Sequence, residues 1–493
     1  MVVKRMINSK DGLLDLKGET TGSPFRWGMI IYPLVGILAM IICTNLPILA
    51  YYGEKTGLAL GFFIFIVLLF LSQCFAMEVV CMVLVAGGYF LGLWEWSTFQ
   101  TASGNSSFLQ MLCMFVVAAG ANTTPIGQRI ALWILRKIGN KPIRLVLGYA
   151  IATAFISSFI SNTATLILMS SIANSMLLTM KEKPGTSKLG RTLFLIIPAA
   201  SYWGGIGLIN GSPGSNVYGL GYLSSFTGGL YVPDYRQFAM VNYPIMVLLI
   251  VPLAVIYIKA LRLKDTDVNS ALPEDYFEEL SKKSGPMTGG EIRWIIQVLA
   301  MIIWLFLGGH GTAVPLIIAA ISLMPLIGTT SASKIWDNLP MPVLFLMFMS
   351  SIMGQLWTGT GLIEAVSALL GPILGNFSPL ALSIVMTFIS LIVINILVNA
   401  GASVALPVFT SLGVALCSNM GANPGVVLLP MIVSLSMVWM VMLNSTSYVN
   451  FGYGWYKIED AYLPGLLAIL FVSIALPVLT FLIAPFAGMP IYL

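Results

Sequence analysis

From Trp27 onward, long apolar runs alternate with short polar or turn-rich breaks. Most runs approach the roughly 20 residues that carry a helix across a hydrocarbon core of about 30 Å. They predict spans near 27–51, 56–74, 76–94, 107–124, 192–212, 239–260, 294–308, 312–329, 340–358, 424–443 and 462–484. None shows the residue-by-residue alternation of a membrane barrel strand. Two further apolar segments, 143–180 and 379–415, are tight for two full crossings, and each has a polar centre. In the first it is Ser161-Asn162-Thr163, in the second Asn399-Ala400-Gly401. These segments are predicted to be re-entrant helical hairpins, because irregular backbone at membrane depth survives only where it is buried in protein or lines a cavity. The expected fold is an all-α polytopic membrane protein of about 11 transmembrane helices plus two re-entrant hairpins, in two inverted-topology repeats.

The repeat is legible as a shift. Moving the chain by 236 residues lays Gly139-Asn140 on Gly375-Asn376 and Ser161-Asn162-Thr163 on Leu397-Val398-Asn399. At a shift of 234, Asn210-Gly-Ser-Pro-Gly-Ser-Asn216 meets Asn444-Ser-Thr-Ser-Tyr-Val-Asn450, and Tyr218-Gly-Leu-Gly221 is echoed by Phe451-Gly-Tyr-Gly454. The implied organisation is a cytoplasmic arm at 1–26, scaffold helices at 27–106, and a first repeat at 107–260 with its hairpin at 143–180. A mixed-charge solvated linker at 261–293 leads to a second repeat at 294–493 with its hairpin at 379–415.

Charge orients this scheme, since cytoplasmic loops hold the excess of lysine and arginine. With the N-terminus cytoplasmic and the C-terminus outside, only Lys55 and Arg236 of 24 such residues fall on the outer side. The first hairpin is flanked by Arg129, Arg136, Lys137, Lys141, Arg144, Lys181, Lys183, Lys188 and Arg191, whereas the flanks of the second hold no base. The two hairpins are therefore expected to enter from opposite faces. Trp94, Trp96, Trp203, Trp294 and Trp455 near span ends read as interfacial belt residues, with Trp203 the foremost exception because it adjoins a helix break.

Composition then excludes whole classes of function. At 58% hydrophobic, 9% charged and a mean hydropathy of +0.93, the chain cannot present a water-soluble surface. A single histidine, His310, and five scattered cysteines leave no redox pair, metal cluster or catalytic constellation, so an enzyme is not expected. Nor is an organic cofactor or a nucleic-acid partner. No carboxylate falls in the middle of a predicted span, which argues against a pump driven by a titrating acid. What sits at depth is Ser, Thr, Asn and Gly. Each hairpin's second arm begins at its tip, aiming free N–H groups and the positive dipole end inward. Two such ends facing one another suit a compact dianion. Carbonyls freed around Gly204-Gly205-Ile-Gly207 can hold Na⁺.

Ser161-Asn162-Thr163-Ala164-Thr165, the Gly-Gly…Gly-Ser-Pro-Gly-Ser-Asn break, and the Phe-Gly-Tyr-Gly-Trp-Tyr-Lys-Ile-Glu-Asp run at 451–460 resemble the divalent anion/sodium symporter family of di- and tricarboxylate transporters, within the ion-transporter superfamily. The resemblance implies a homodimer in a lipid bilayer, in a bacterial inner membrane. It would move succinate-, malate-, fumarate- or 2-oxoglutarate-type substrates by an elevator motion of the hairpin-bearing domain. Carried onto this chain, the substrate-binding candidates are Ser161, Asn162, Thr163, Ser215, Asn399, Ala400 and Ser447. Those for Na⁺ are Ser161, Asn162 and Gly207. Asn216 and Asn450 read equally as ligands or as caps of broken helices, and Thr165 and Ser170 as interhelical contacts. The second tip lacks the family's Ser-Asn-Thr hydroxyls. This favours Na⁺-independent dicarboxylate exchange, with Na⁺-coupled symport as the alternative and an anion channel less favoured than either.

Overall fold

The computed structural model describes residues 27–72, 74–103, 106–273, 275–307, 313–330, 344–345, 352–353, 356–357, 359–362, 364–365, 368, 377–397, 401–440 and 447–493. Among them the chain is helical, and the one extended pairing is an isolated antiparallel bridge between Ala422 and Tyr492. The helices are α1 (Gly28–Thr44), α2 (Thr56–Ser72), α3 (Met77–Phe90), α4 (Trp96–Ser103), α5 (Ser106–Asn122), α6 (Ile126–Ile138), α7 (Pro142–Phe159), α8 (Asn162–Thr179), α9 (Lys188–Gly204) and α10 (Asn216–Thr227). They continue with α11 (Tyr235–Ala260), α12 (Tyr276–Lys283), α13 (Gly289–Phe306), α14 (Ala313–Leu323), α15 (Pro379–Leu397), α16 (Gly401–Met420), α17 (Leu429–Ser434), α18 (Ser447–Phe451) and α19 (Tyr462–Ile483). Single helical turns at Pro47–Ala50 and Pro424–Val427 join them. His310, Asn399, Ala400 and most of the expected 340–358 span lie outside the described residues.

Several expected spans are shorter than their apolar runs, for local reasons. The 27–51 run is cut at Asn45-Leu46, ahead of Pro47, which cannot continue the preceding helix. The 192–212 run stops at Gly204-Gly205. The 424–443 run is two short helical pieces followed by irregular backbone from Met437. Among the described residues, four stretches are long and apolar enough to cross a membrane: 142–159, 235–260, 379–397 and 458–487. Two of these are the first arms of the expected hairpins, α7 and α15.

Both arms start on a proline, Pro142 and Pro379, at the position where a missing N–H costs nothing. After α7, Ile160 and Ser161 are extended, and Ser161 caps α8 by accepting from the Ala164 N–H at 3.3 Å. α9 packs along both α7 and α8. Its end can approach α7 because residue 204 is glycine; a Cβ there would sit 2.1 Å from the Ala154 carbonyl oxygen. α7 also lies against α11, and in the second half α15 lies against α17 and α19 in the same order. The halves interlock: α10 packs on α16, and α18 on α8 and α9.

The linker is not a free solvated segment. Leu263, Leu272 and Phe277 are buried, and the strand of chain between them binds the base of the first hairpin. Asp265 accepts from the Ile143 N–H at 3.0 Å, Asn140 donates to the Pro273 carbonyl at 3.1 Å, and the Asn269 N–H donates to Glu182 at 2.6 Å. At the second hairpin, residues 490–493 do the same work. The Asn423 N–H and side-chain amide donate to the carbonyls of Ile491 and Pro490, both at 2.8 Å, and the Leu493 N–H to that of Gly421 at 2.9 Å. Thus the chain following the last long helix of each half returns to the base of that half's own hairpin.

The tryptophan belt is corrected by packing. Trp94, Trp203, Trp294 and Trp455 are buried in the protein, and only Trp96 of the five is largely exposed. Trp294 donates to the Val117 carbonyl and Trp455 to Asn174, so their N–H groups are spent inside.

One ion pair escaped the sequence reading. Glu291, fully buried at the start of α13, meets Arg129 of α6 at 2.5 Å, and Arg129 also donates to the carbonyls of Ser284, Gly285 and Pro286. Burial alone would raise the Glu291 carboxyl, but the Thr288 N–H and hydroxyl and the Arg129 guanidinium outweigh it and hold it below the usual range. Breaking such a pair on one side costs about 3–5 kcal/mol. Arg129→Ala should therefore lower the melting temperature of the purified protein strongly, and Glu291→Gln by less. Because the folded value is depressed, the wild-type contribution is complete above the ordinary glutamate range and declines as pH falls through the folded value. A melting temperature equally steep in pH for Glu291→Gln and wild type would contradict this.

Candidate functional site

The first tip and the first break form one polar nest. Ser157, one turn before the tip, lies 2.7 Å from the Asn162 carboxamide and 3.2 Å from Ser201 Oγ. Ser201, one turn before Gly205, donates to the Asn162 carbonyl at 2.9 Å. The Asn162 carboxamide is held between the carbonyls of Ser201 and Gly211; with its nitrogen facing them it donates to both at 3.1 Å and to Ser157 at 2.7 Å. Ser158 donates to the Gly204 carbonyl at 2.9 Å and Asn216 to those of Gly205 and Leu208 at 2.9 and 3.1 Å. Ser158 and Asn216 thus bind carbonyls at the end of α9 and in the break that follows it, while Ser157 and Ser201 bind Asn162.

In the second half the same task falls to Asn395 of α15. Its amide donates to the carbonyls of Leu391 and Met437 at 2.8 and 3.0 Å, and its oxygen accepts from the N–H groups of Trp439 and Met440 at 2.8 and 2.7 Å. The two breaks then touch: the rings of Trp203 and Trp439, both fully buried, lie 6.2 Å apart at 46°.

Asn162 is at the centre of the first nest. Ser161 is an exposed helix cap, and Thr163 is exposed beside it. Ser215 lies in the break, 3.1 Å from Ser212, and Gly207 lies in the break beside Ser158. Ser447 is buried against the Tyr202 hydroxyl at 3.2 Å, across the interface between the halves. Asn216 and Asn450 part company: Asn216 binds its own break, whereas Asn450 accepts from Ser170 at 2.7 Å and donates to the Phe194 carbonyl in the other half. Thr165, expected in an interhelical contact, has its hydroxyl buried with no hydrogen-bond partner among the described residues. Sequence reasoning missed Ser157, Ser201 and Asn395. Their signal was position: each stands about one turn from a tip or a break, in helices with few polar residues.

A model of the citrate transporter family, CitMHS, matches residues 28–437. The chain belongs to this family. That bears out the resemblance to the divalent anion/sodium symporter group, and with it an integral membrane transporter rather than an enzyme. It is similar to the "sodium-dependent dicarboxylate transporter SdcS" of Staphylococcus saprophyticus, at 26% identity over 79% of this chain and 78% of that one. It is also similar to the "sodium-dependent high-affinity dicarboxylate transporter 3" of Caenorhabditis elegans, at 33% identity over 27% of this chain and 26% of that one. Among solved structures, the YdaH transporter of Alcanivorax borkumensis superposes with a TM-score of 0.50 at 14% identity, over 84% of this chain and 97% of that one. This is a likeness of fold alone.

Loss of one buried polar contact costs about 1–3 kcal/mol, roughly 5- to 150-fold in affinity. Asn162→Ala is accordingly expected to weaken transport by that order while the protein still purifies as a folded species. Radiolabelled uptake normalised to folded protein measures it, and wild-type rates would remove the first tip from the site.

Proposed function

We propose that this transporter carries small dicarboxylates of the succinate, malate, fumarate and 2-oxoglutarate type together with Na⁺. The observation that carries the reading is the nest around Asn162, where the hydroxyls of Ser157 and Ser201 and the carbonyls of Ser201 and Gly211 converge on the first tip. Neutral oxygens in this number suit a small hard cation, and no buried carboxylate is needed because the substrate supplies the countercharge. Two relatives named as sodium-dependent dicarboxylate transporters support it further. Sodium-independent exchange, expected from the altered second tip, finds no support among them, and sodium coupling replaces it. In this reading Ser161, Asn162, Thr163 and Ser215 contact the substrate from the first half, and Asn399, Ala400 and Ser447 complete the site from the second. About 11 spans in two inverted repeats form a homodimer in a bacterial inner membrane, with the N-terminus inside and the C-terminus outside. The hairpin-bearing domains slide as elevators against the scaffold helices.

In proteoliposomes free of internal dicarboxylate, an inward Na⁺ gradient should drive accumulation of labelled succinate. Uptake that ignores Na⁺ and requires internal dicarboxylate would overturn the coupling.

Orientation has its own test. Ser187 is buried as the cap of α9, so labelling is better placed at its exposed neighbour Thr186 and at exposed Ser418. Thr186→Cys and Ser418→Cys should react with impermeant maleimide from opposite sides of right-side-out vesicles. Reaction from one side would sink the inverted repeat.

A further inference from the structure

We propose that Asn395 is a positioning residue for the second half of the transport site, setting affinity for the coupling ion and the dicarboxylate by fixing the backbone at 437–440. The inference rests on the sodium-coupled reading above and deepens it. Asn395 is 2% exposed in the helix run Leu391-Ile-Val-Ile-Asn395-Ile-Leu397, where every neighbour is apolar. Both of its amide protons and both lone pairs of its oxygen are used, at 2.7 to 3.0 Å. Three of these four bonds go to one short stretch, Met437 to Met440, that has no helical structure.

A helix running on from α17 would have paired those same peptide groups with no side chain at all. The chain instead keeps the break and commits a buried asparagine to it. The first half does likewise with Ser158, which donates to the Gly204 carbonyl beside the other break. Ser158 and Asn395 are 237 residues apart, the same separation as Pro142 and Pro379 that open their helices. The role is repeated although the residue is not. Trp439, whose N–H is held by Asn395, presses its ring toward Trp203 at the end of the first break, so the shape of 437–440 is felt where the two breaks meet. The second half, short of side-chain oxygens at its tip, thereby has backbone groups set in one fixed arrangement.

The test is uptake by wild type, Asn395→Ala and Asn395→Ser in proteoliposomes, with rates normalised to folded protein. Loss of several buried hydrogen bonds should raise the half-maximal concentrations of Na⁺ and of dicarboxylate about ten- to a hundredfold in Asn395→Ala, with the maximal rate changed far less. Asn395→Ser keeps one donor and an acceptor, as Ser158 does in the first half, and should be intermediate; it carries the test alone if the alanine variant does not fold. Half-maximal concentrations within about twofold of wild type in the folded variants, with only yield or melting temperature reduced, would make Asn395 a structural residue and overturn the proposal. If wild-type uptake is itself indifferent to Na⁺, the coupling is refuted and Asn395 is judged on the dicarboxylate concentration alone.

Discussion

A peptide group cut off from water must find a partner within the protein, and in this chain the places where a helix stops deep in the fold are governed by that requirement. α9 ends at Gly204, and the carbonyls it releases are taken up by Ser158, Asn162 and Asn216. In the other half, the N–H groups and carbonyl left open between Met437 and Met440 are taken up by Asn395. Much of the buried polarity near the two breaks follows from this single accounting. It also explains why uncharged side chains suffice: serine and asparagine can satisfy a peptide group without placing a net charge where desolvation would be costly.

The same accounting links structure to the proposed transport. In that proposal the carbonyls and hydroxyls around Asn162 offer neutral oxygens to a small cation. The dianion and its sodium ions can then enter a site with no fixed charge of its own, each neutralising the other. Around this centre the linker ties the two arms α7 and α8 together at their base, and residues 490–493 hold the end of α16.

How much of this was legible beforehand follows the physics of each signal. The helix–break–helix form of 142–179 was legible because the apolar segment has Ser161-Asn162-Thr163 at its centre, and Asn162 lies among the polar groups there. The cap role of Ser161 was also within reach. Span ends were less legible: hydropathy cannot see that Gly204 permits contact with Ala154, or that Pro47 forces a turn. The tryptophans misled because amphipathic rings suit an interface and a buried pocket with one acceptor equally well, and only the partner decides. The linker's mixed charge suggested solvation, whereas its three buried apolar residues and its bonds to Ile143 and Glu182 depend on contacts distant in sequence. Arg129 and Glu291, 162 residues apart, illustrate the same limit.

The register between the halves depends on what is aligned. Aligning by the tip motif lays Ser161-Asn162-Thr163 on Leu397-Val398-Asn399 and gives the impression that the second half has lost its polar groups. Aligning by what the side chains do, Ser158 and Asn395 are counterparts, each binding backbone at the later break in its own half. Serine there supplies one donor; asparagine supplies two donors and two acceptors, and so can hold a longer irregular stretch. The second half has therefore moved its polarity one turn back from the tip, from exposed hydroxyls to a fully committed buried amide. The altered tip therefore leaves that half with ordered backbone at 437–440, held by a side chain outside the tip.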